Sequence, residues 1–214
     1  MPMLVSMVLQ PNEPTEADRI ALRAQDLFFR NGFSRVTTEE IARELGISKK
    51  TLYQHFASKE DLLRASLALM REDIQTAVRR IVADRRRDVA EKLHDLLVAV
   101  ASRMSRIQRP FLEDLPRKAP ELWQEIEEFR QRVVFDEVAT LINQGSRRGM
   151  IRRDVDPQLF VLMFMATMRS VLTPETIASV SASASDVFQM MMRVFMQGVL
   201  TDEARARFTS EVTS

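Results

Sequence analysis

There is no cysteine in this sequence of 214 residues. That absence excludes disulfides, thiolate metal sites and cysteine nucleophiles, and it suits a reducing compartment such as the cytoplasm. Glycine is scarce, with 5 residues, and proline modest, with 8. Turn-rich β architectures use more of both, so the composition points to helices. Two histidines without any cysteine supply too few donors for a transition-metal site, and no cofactor motif such as a glycine-rich phosphate loop is present. An excess of one charge is also missing: 31 Lys and Arg face 30 Asp and Glu, for a net charge of +1. No bulk positive field surrounds the chain, so contact with a polyanion has to come from local placement of basic residues. The most apolar run, Leu159 to Leu172, is too short to cross a bilayer and contains Arg169, so it reads as a buried helix and no membrane partner is expected. The opening MPMLVSMVLQ lacks a basic leader and a small-residue cleavage site, so no secretory signal is expected.

What the chain does have is helical periodicity. Hydrophobic residues make up 45% of it, enough for a substantial core. Residues 1–14, with Pro11 and Pro14, read as an arm. Thr15 with Asp18 forms a capping box, and Ile20, Ala24, Leu27 and Phe28 follow on one helical face. Asn31-Gly32 closes that helix. Thr37 with Glu40 starts a short second helix, with Ile41, Ala42 and Leu45 inward, which stops at Gly46. Only Gly46-Ile47-Ser48 separates it from a third, whose inward residues are Leu52 and Phe56. Two short helices joined by a tight glycine turn make a helix-turn-helix pattern. Ser58 with Asp61 caps a long amphipathic helix through Leu62, Leu67, Met70, Ile74, Val78 and Ile81.

Beyond the basic elbow Arg85-Arg86-Arg87, a helix carries Val89, Leu93, Leu97, Val100 and Met104. Residues 110–120 hold three prolines and read as an irregular connection. A long helix spans about 121–144, with Gly145 and Gly149 ending it. Asp156-Pro157 opens the apolar segment to Leu172. Residues 173–185 read as a loop with one helical turn, and Asp186 to Leu200 as the last helix. The expected architecture is all-α.

Lys49 and Lys50 occupy the wrong end of a helix. Ser48 is the expected N-cap, so both lysines fall in the first turn, where the helix dipole favours anions and each cation costs roughly 0.3–1 kcal/mol. Lys59, directly after Ser58, repeats the pattern. Two successive helix starts carrying lysine suggest that an external polyanion supplies the missing negative charge, since helix N-termini bind phosphate. In helix-turn-helix proteins the first residues of the second helix reach base edges. Lys49 and Lys50 can donate to guanine, the Thr51 methyl can pack on thymine, and Gln54 can bond adenine. Glu39 reads as a solvated acid.

The segment TTEEIARELGISKKTLYQHFASKEDLL, Thr37 to Leu63, closely resembles the DNA-binding segment of the tetracycline-repressor (TetR) family of bacterial regulators. The likeness reaches back through the first helix and covers about residues 15–65. A weaker likeness continues in GMIRRDVDP, Gly149 to Pro157. The resemblance implies a helix-turn-helix head over 15–60 and a ligand-binding, dimerising body over 61–214. It implies phosphate contacts for Thr38, Tyr53 and His55, in a set completed by Ser48, Lys49, Lys50, Thr51, Gln54 and Lys59. It also implies that the last two long helices pair across a two-fold axis, so Phe160, Met163, Phe164, Met168, Phe188, Met191, Met192 and Phe195 are expected at a homodimer interface. Leu97, Met104, Trp123, Phe129 and Val133, on the middle helices, are the pocket candidates. Arg169, inside an apolar helix, needs a partner: a carboxylate across the dimer or an acidic ligand group. His94 reads as a structural histidine. No carboxylate pair, Ser/His/Asp set or metal cluster supports an enzyme.

The expected function is a homodimeric regulator, a repressor released from a pseudo-palindromic DNA operator by a small, largely apolar effector. The two heads would meet half-sites spaced by about 34–36 Å. An activator, or a DNA-binding protein without an effector, remains the alternative reading of the same residues.

Overall fold

The computed structural model describes residues 13–212 apart from Ser181, and of 133–135 and 210–212 the backbone only; the arm expected over 1–14 falls almost wholly outside the described residues. Four helices form the first part: α1 (Glu16–Asn31), α2 (Thr38–Leu45), α3 (Lys49–His55) and α4 (Lys59–Ala83). Seven follow: α5 (Val89–Met104), α6 (Arg109–Lys118), α7 (Pro120–Arg147), α8 (Pro157–Val171), α9 (Pro174–Ser179), α10 (Ala184–Val199) and α11 (Asp202–Val212). The protein is all-α, a helix-turn-helix head on a helical body, and the described residues hold no strand beyond one bridge between Ile151 and Leu200.

The helix starts follow from short polar signals. Thr15 accepts the Asp18 N–H at 3.1 Å and Asp18 accepts the Thr15 N–H at 2.9 Å, a complete capping box. Thr37 and Ser58 likewise accept the N–H of Glu40 and Asp61. At Ser58 the return bond differs from the expected one. The Asp61 carboxylate takes the Ser58 hydroxyl at 2.8 Å rather than the backbone N–H. Each such N-cap contributes about 1 kcal/mol.

Residues 110–120 are not an irregular connection. Pro110 sits in the first turn of α6, where a missing N–H costs nothing, and Pro120 does the same for α7. The buried face Phe111, Leu112 and Leu115 holds α6 down despite Pro116 within it. Gly145 does not end α7; it lies inside it, and a Cβ there would come within 3.0 Å of Ile151 and 3.1 Å of Val89. Nor is α10 the last helix, because α11 buries Ala204 and Phe208 in the body core.

Two large apolar clusters organise the described residues, beside a small one of Leu112, Ile177 and Ala184, and α4 belongs to both large ones. The head cluster holds Phe28, Phe29, Ile41, Leu52, Leu62 and Leu67. It also takes in Phe111, Leu115, Ala119 and Leu122, which α6 and α7 contribute. The packing therefore does not break at residue 60. Polar contacts reinforce this joint. Buried Ser66 donates to Ala21 O on α1, and buried Gln25 donates to Ser66 O at 2.6 Å. Gly32, at φ +90°, lets Pro110 approach so closely that a Cβ would meet its carbonyl oxygen at 3.1 Å. Phe29 and Phe111 meet edge to face at 4.9 Å, and the Asp114 carboxylate accepts both the N–H and the hydroxyl of Ser34.

The body core corrects the expected dimer surface. Phe160, Phe164, Met168, Phe188, Met191 and Met192 are buried in the chain's own core, and Phe195 packs against it, 5.7 Å from Phe160 and 5.3 Å from Phe164. Of the residues expected at the dimer, Met163 alone is exposed. Both α8 and α10 are apolar on more than one face, so periodicity does not reveal which face turns inward. The outward apolar residues are Leu159 (57% exposed), Leu162 (59%) and Met163 (55%) on α8, with Met190 (62%) and Val194 (63%) on α10.

Candidate nucleic-acid interface

The site is built on the turn between α2 and α3. Gly46 takes the left-handed conformation at φ +66°, and the Ile47 N–H returns to Ala42 O at 3.0 Å. Ala42 is small and buried, which lets α3 fold back closely on α2. Leu52 then enters the head core, and this single anchor fixes the rotation of α3. Lys49, Lys50, Tyr53, Gln54 and His55 are exposed, Thr51 is half-buried, and Ser48 caps the helix by accepting the Thr51 N–H at 3.0 Å. The first N–H groups of α3 and of α4 have no acceptor within their helices.

The two lysines of α3 differ in their surroundings. Lys49 pairs with the Glu39 carboxylate of α2, and its ammonium lies 5.8 Å from the Tyr53 ring centroid. Hydrogen bonding from Lys49 holds Glu39 below the usual carboxylate range, and the same bond raises Lys49. Glu39 is thus a partner rather than a merely solvated acid, and the charge misplaced at Lys49 is answered inside the chain. Lys50 has no ion pair among the described residues. Its charge still lacks a counterpart.

Lys59 opens α4. Its ammonium lies 4.5 Å from the centroid of buried Phe33, a cation–π contact that orients it beside the helix start. Burial pushes its pKa below the ordinary lysine value, against the opposing pull of Glu60 and Asp114. A partly desolvated cation at a helix N-terminus is poorly compensated, and an approaching phosphate would restore what it has lost.

Thr38 departs from expectation. It is 8% exposed, and its hydroxyl lies 3.3 Å from the Tyr53 hydroxyl and 3.2 Å from Glu39. Those neighbours engage the hydroxyl, so Thr38 braces Tyr53 rather than offering a free donor. Tyr53 itself is 44% exposed. His55 Nε2 lies 3.7 Å from Glu16 Oε2 of α1. Lys50, Tyr53 and Gln54, exposed on α3, and Lys59 at the start of α4 therefore present ammonium, phenol and amide donors around the α3–α4 corner. That set suits phosphate oxygens and base edges.

A second feature lies between head and body. A cavity of about 140 Å³ is lined by Leu67, Met70, Met104, Phe111, Trp123 and Phe129 among others. Met104, Trp123 and Phe129 were pocket candidates from the sequence. Leu97 was too, but it lies in the body core and does not line the cavity; α5 reaches it through Val100, Arg103 and Met104. The Val133 side chain lies outside the described ones. Leu67, Met70 and Ile74 of α4 line the cavity as well, on the face that periodicity had already marked as inward. Arg169 is exposed beside Arg132 and Asp136, with no ion pair among the described residues. His94 is buried, edge-on to Phe208 at 6.0 Å, as a structural histidine would be.

Residues 20–66 match the sequence pattern of the bacterial regulatory proteins of the tetR family. The HTH-type transcriptional regulator YvaF of Bacillus subtilis (strain 168) is 26% identical over 185 residues, 86% of this chain and 96% of that protein. The nucleoid occlusion factor SlmA of Aliivibrio fischeri (strain MJ11) is 32% identical over 96 residues, but the match spans only 44% of this chain and 49% of SlmA. A TetR-family transcriptional regulator from Marinobacter aquaeolei VT8 has the same fold, with a TM-score of 0.67 at 20% identity over 92% of this chain and 96% of that one. So does a putative transcriptional regulator from Saccharomonospora viridis in complex with choline, with a TM-score of 0.64 at 22% identity over 86% of this chain and 97% of that one.

Proposed function

The chain belongs to the tetR family of DNA-binding transcriptional regulators, and within that family we propose that it is a homodimeric repressor released from its operator by a small, largely apolar molecule. In this reading residues 15–60 are the DNA-binding head and 61–214 the ligand-binding and dimerising body. The observation that carries it is the shared wall: Leu67 and Phe111 line the cavity and belong to the head cluster at the same time. A molecule that enters the cavity pushes on the head's own core. It shifts the operator equilibrium only so far as it prefers one arrangement of that wall over the other. The solved complex of the Saccharomonospora viridis protein with choline supports small-molecule binding by a protein of this fold. The outward apolar faces of α8 and α10 support pairing with a second copy. The protein works in the cytoplasm, beside the DNA; no helix among the described residues is long and apolar enough to cross a membrane.

On the DNA, Lys59 and Tyr53 grip phosphates from either side of the α3–α4 corner, and Lys50 and Gln54 face the base edges. Thr38, Ser48, Lys49, Thr51 and His55 hold these groups in place or add contacts at the rim. Genome-wide recovery of bound DNA gives the operator, and two variants then separate the roles. Lys59→Ala is expected to weaken binding alike on every duplex and to lower the salt slope by about one unit per head, or about two for the dimer on its operator. Lys50→Ala is expected to change the ranking of operator variants, with a loss of about 1–3 kcal/mol confined to cognate sites. An equal loss on cognate and random DNA contradicts base reading by Lys50.

A further inference from the structure

We propose that the cavity between head and body takes an uncharged molecule: an apolar body the size of a single ring, with one hydrogen-bond acceptor directed at Arg130. The inference rests on the reading of this cavity as the effector site and adds the chemistry of the effector. Size comes first. The volume of about 140 Å³ matches that of an apolar cavity that stays dry and holds benzene, roughly 150 Å³. The walls are thioether, aliphatic and aromatic, and methionines such as Met70 and Met104 adapt to irregular outlines.

Charge decides the rest. Among the described residues, two arginines and no carboxylate line the cavity. Arg103 has a good acceptor at every nitrogen: Nε and Nη2 donate to Asp73 at 2.7 and 2.9 Å, and Nη1 to Ala99 O at 2.8 Å. Arg130 does not. Its Nη2 pairs with Glu127, but its Nη1 reaches Leu172 O only at 3.4 Å. A guanidinium carries five N–H donors, so several on Arg130 lack a good acceptor. Its charge, however, is already cancelled by Glu127. The other carboxylate oxygen of Glu127 is buried with no hydrogen-bond partner among the described residues.

An anionic ligand would add a second negative charge to this pair in a poorly solvated place. A cationic ligand finds no carboxylate on the cavity wall. A neutral carbonyl, ether or hydroxyl oxygen uses the spare donors without disturbing the charge balance.

The test uses the full-length protein and four probes of one-ring size: isopropylbenzene, acetophenone, benzoate and phenyltrimethylammonium. Binding is measured by calorimetry, with operator occupancy read in parallel. Acetophenone is expected to bind about tenfold tighter than isopropylbenzene, the value of one good hydrogen bond, and at least about tenfold tighter than either ion. In Arg130→Met combined with Glu127→Gln, which removes both charges together, the preference for acetophenone over isopropylbenzene disappears. The wild-type ranking stands as a test even if that variant does not fold. Tightest binding by benzoate or phenyltrimethylammonium, or a preference that survives the double substitution, overturns this effector class but leaves the effector site intact. Failure of all four probes to bind a protein that still holds its operator overturns both readings. The expected ranking with no effect on operator occupancy upholds the ligand chemistry and overturns the repressor release.

Discussion

Val194→Asp is expected to give a folded monomer that has lost a hundredfold or more of its affinity for a two-half-site operator. Val194 is 63% exposed on α10, as Met190 is at 62%, and Leu159, Leu162 and Met163 are outward on α8. Large apolar side chains left outward on two helices that pack together mark an interaction surface. A carboxylate at its centre must be desolvated without a partner when two copies meet, and two copies bring two such charges together. The fold itself loses little, because the side chain contributes little to the chain's own core. The loss on DNA follows from effective concentration: once one head is bound, a dimer presents its second head at millimolar local concentration, and a monomer does not. Sedimentation velocity gives the mass, and circular dichroism checks the helices. An isolated half-site should bind with unchanged affinity. A variant that remains dimeric at micromolar concentration removes this face from the account.

The second large effect is on stability. Phe111→Ala is expected to cost about 3–5 kcal/mol, a large part of the roughly 5–15 kcal/mol that holds a typical domain together. Phe111 is 1% exposed and stands edge-on to Phe29 of α1. It lines the cavity on its other side, so truncation both enlarges the cavity and removes the largest apolar contact that α6 makes with the head. Denaturant unfolding measures the first consequence. The second is functional: whatever fraction folds should bind operator with little response to a ligand that releases the native protein. A stability loss under about 1 kcal/mol would mean that α6 does not belong to the head's core.

The head was legible because its signals are short and local. A capping threonine or serine three residues before an acid, a glycine turn, and one inward residue per turn are read within a window of a few residues. Thr15, Thr37, Ser48 and Ser58 all cap the helices that the sequence marks. What the sequence hides depends on distance. The pairing of Glu39 with Lys49 joins two helices, and it removes part of the argument that a misplaced lysine must seek a phosphate. Lys50 and Lys59 keep that argument. The buried state of Thr38 likewise follows from the position of Tyr53, 15 residues away.

In the body the losses have clear causes. Three prolines suggest a loop over 110–120, yet two of them occupy helix starts, where proline is harmless. The charged sequence of α11 masks a helix whose fully buried side chains, among the described ones, are Ala204 and Phe208. For α8 and α10, apolar residues on several faces leave the inward side undetermined. Which of Phe164 and Met163 turns inward is settled by the neighbouring helices and not by periodicity. The cavity was half legible: Met104, Trp123 and Phe129 follow from the middle helices, whereas the share taken by Phe111 required α6 to be a helix.

The central claim is that the α3–α4 corner receives a nucleic-acid backbone. The most direct measurement is the affinity of the dimer for its operator duplex as a function of sodium chloride, read by fluorescence anisotropy. Two heads, each bringing Lys59 to the backbone, Lys50 into the groove and Lys49 to the rim, displace about four to six counterions, so the plot of log affinity against log salt should fall with a slope of about −4 to −5. A flat plot, or no measurable binding to any duplex at low salt with the protein free of small molecules, would contradict the account.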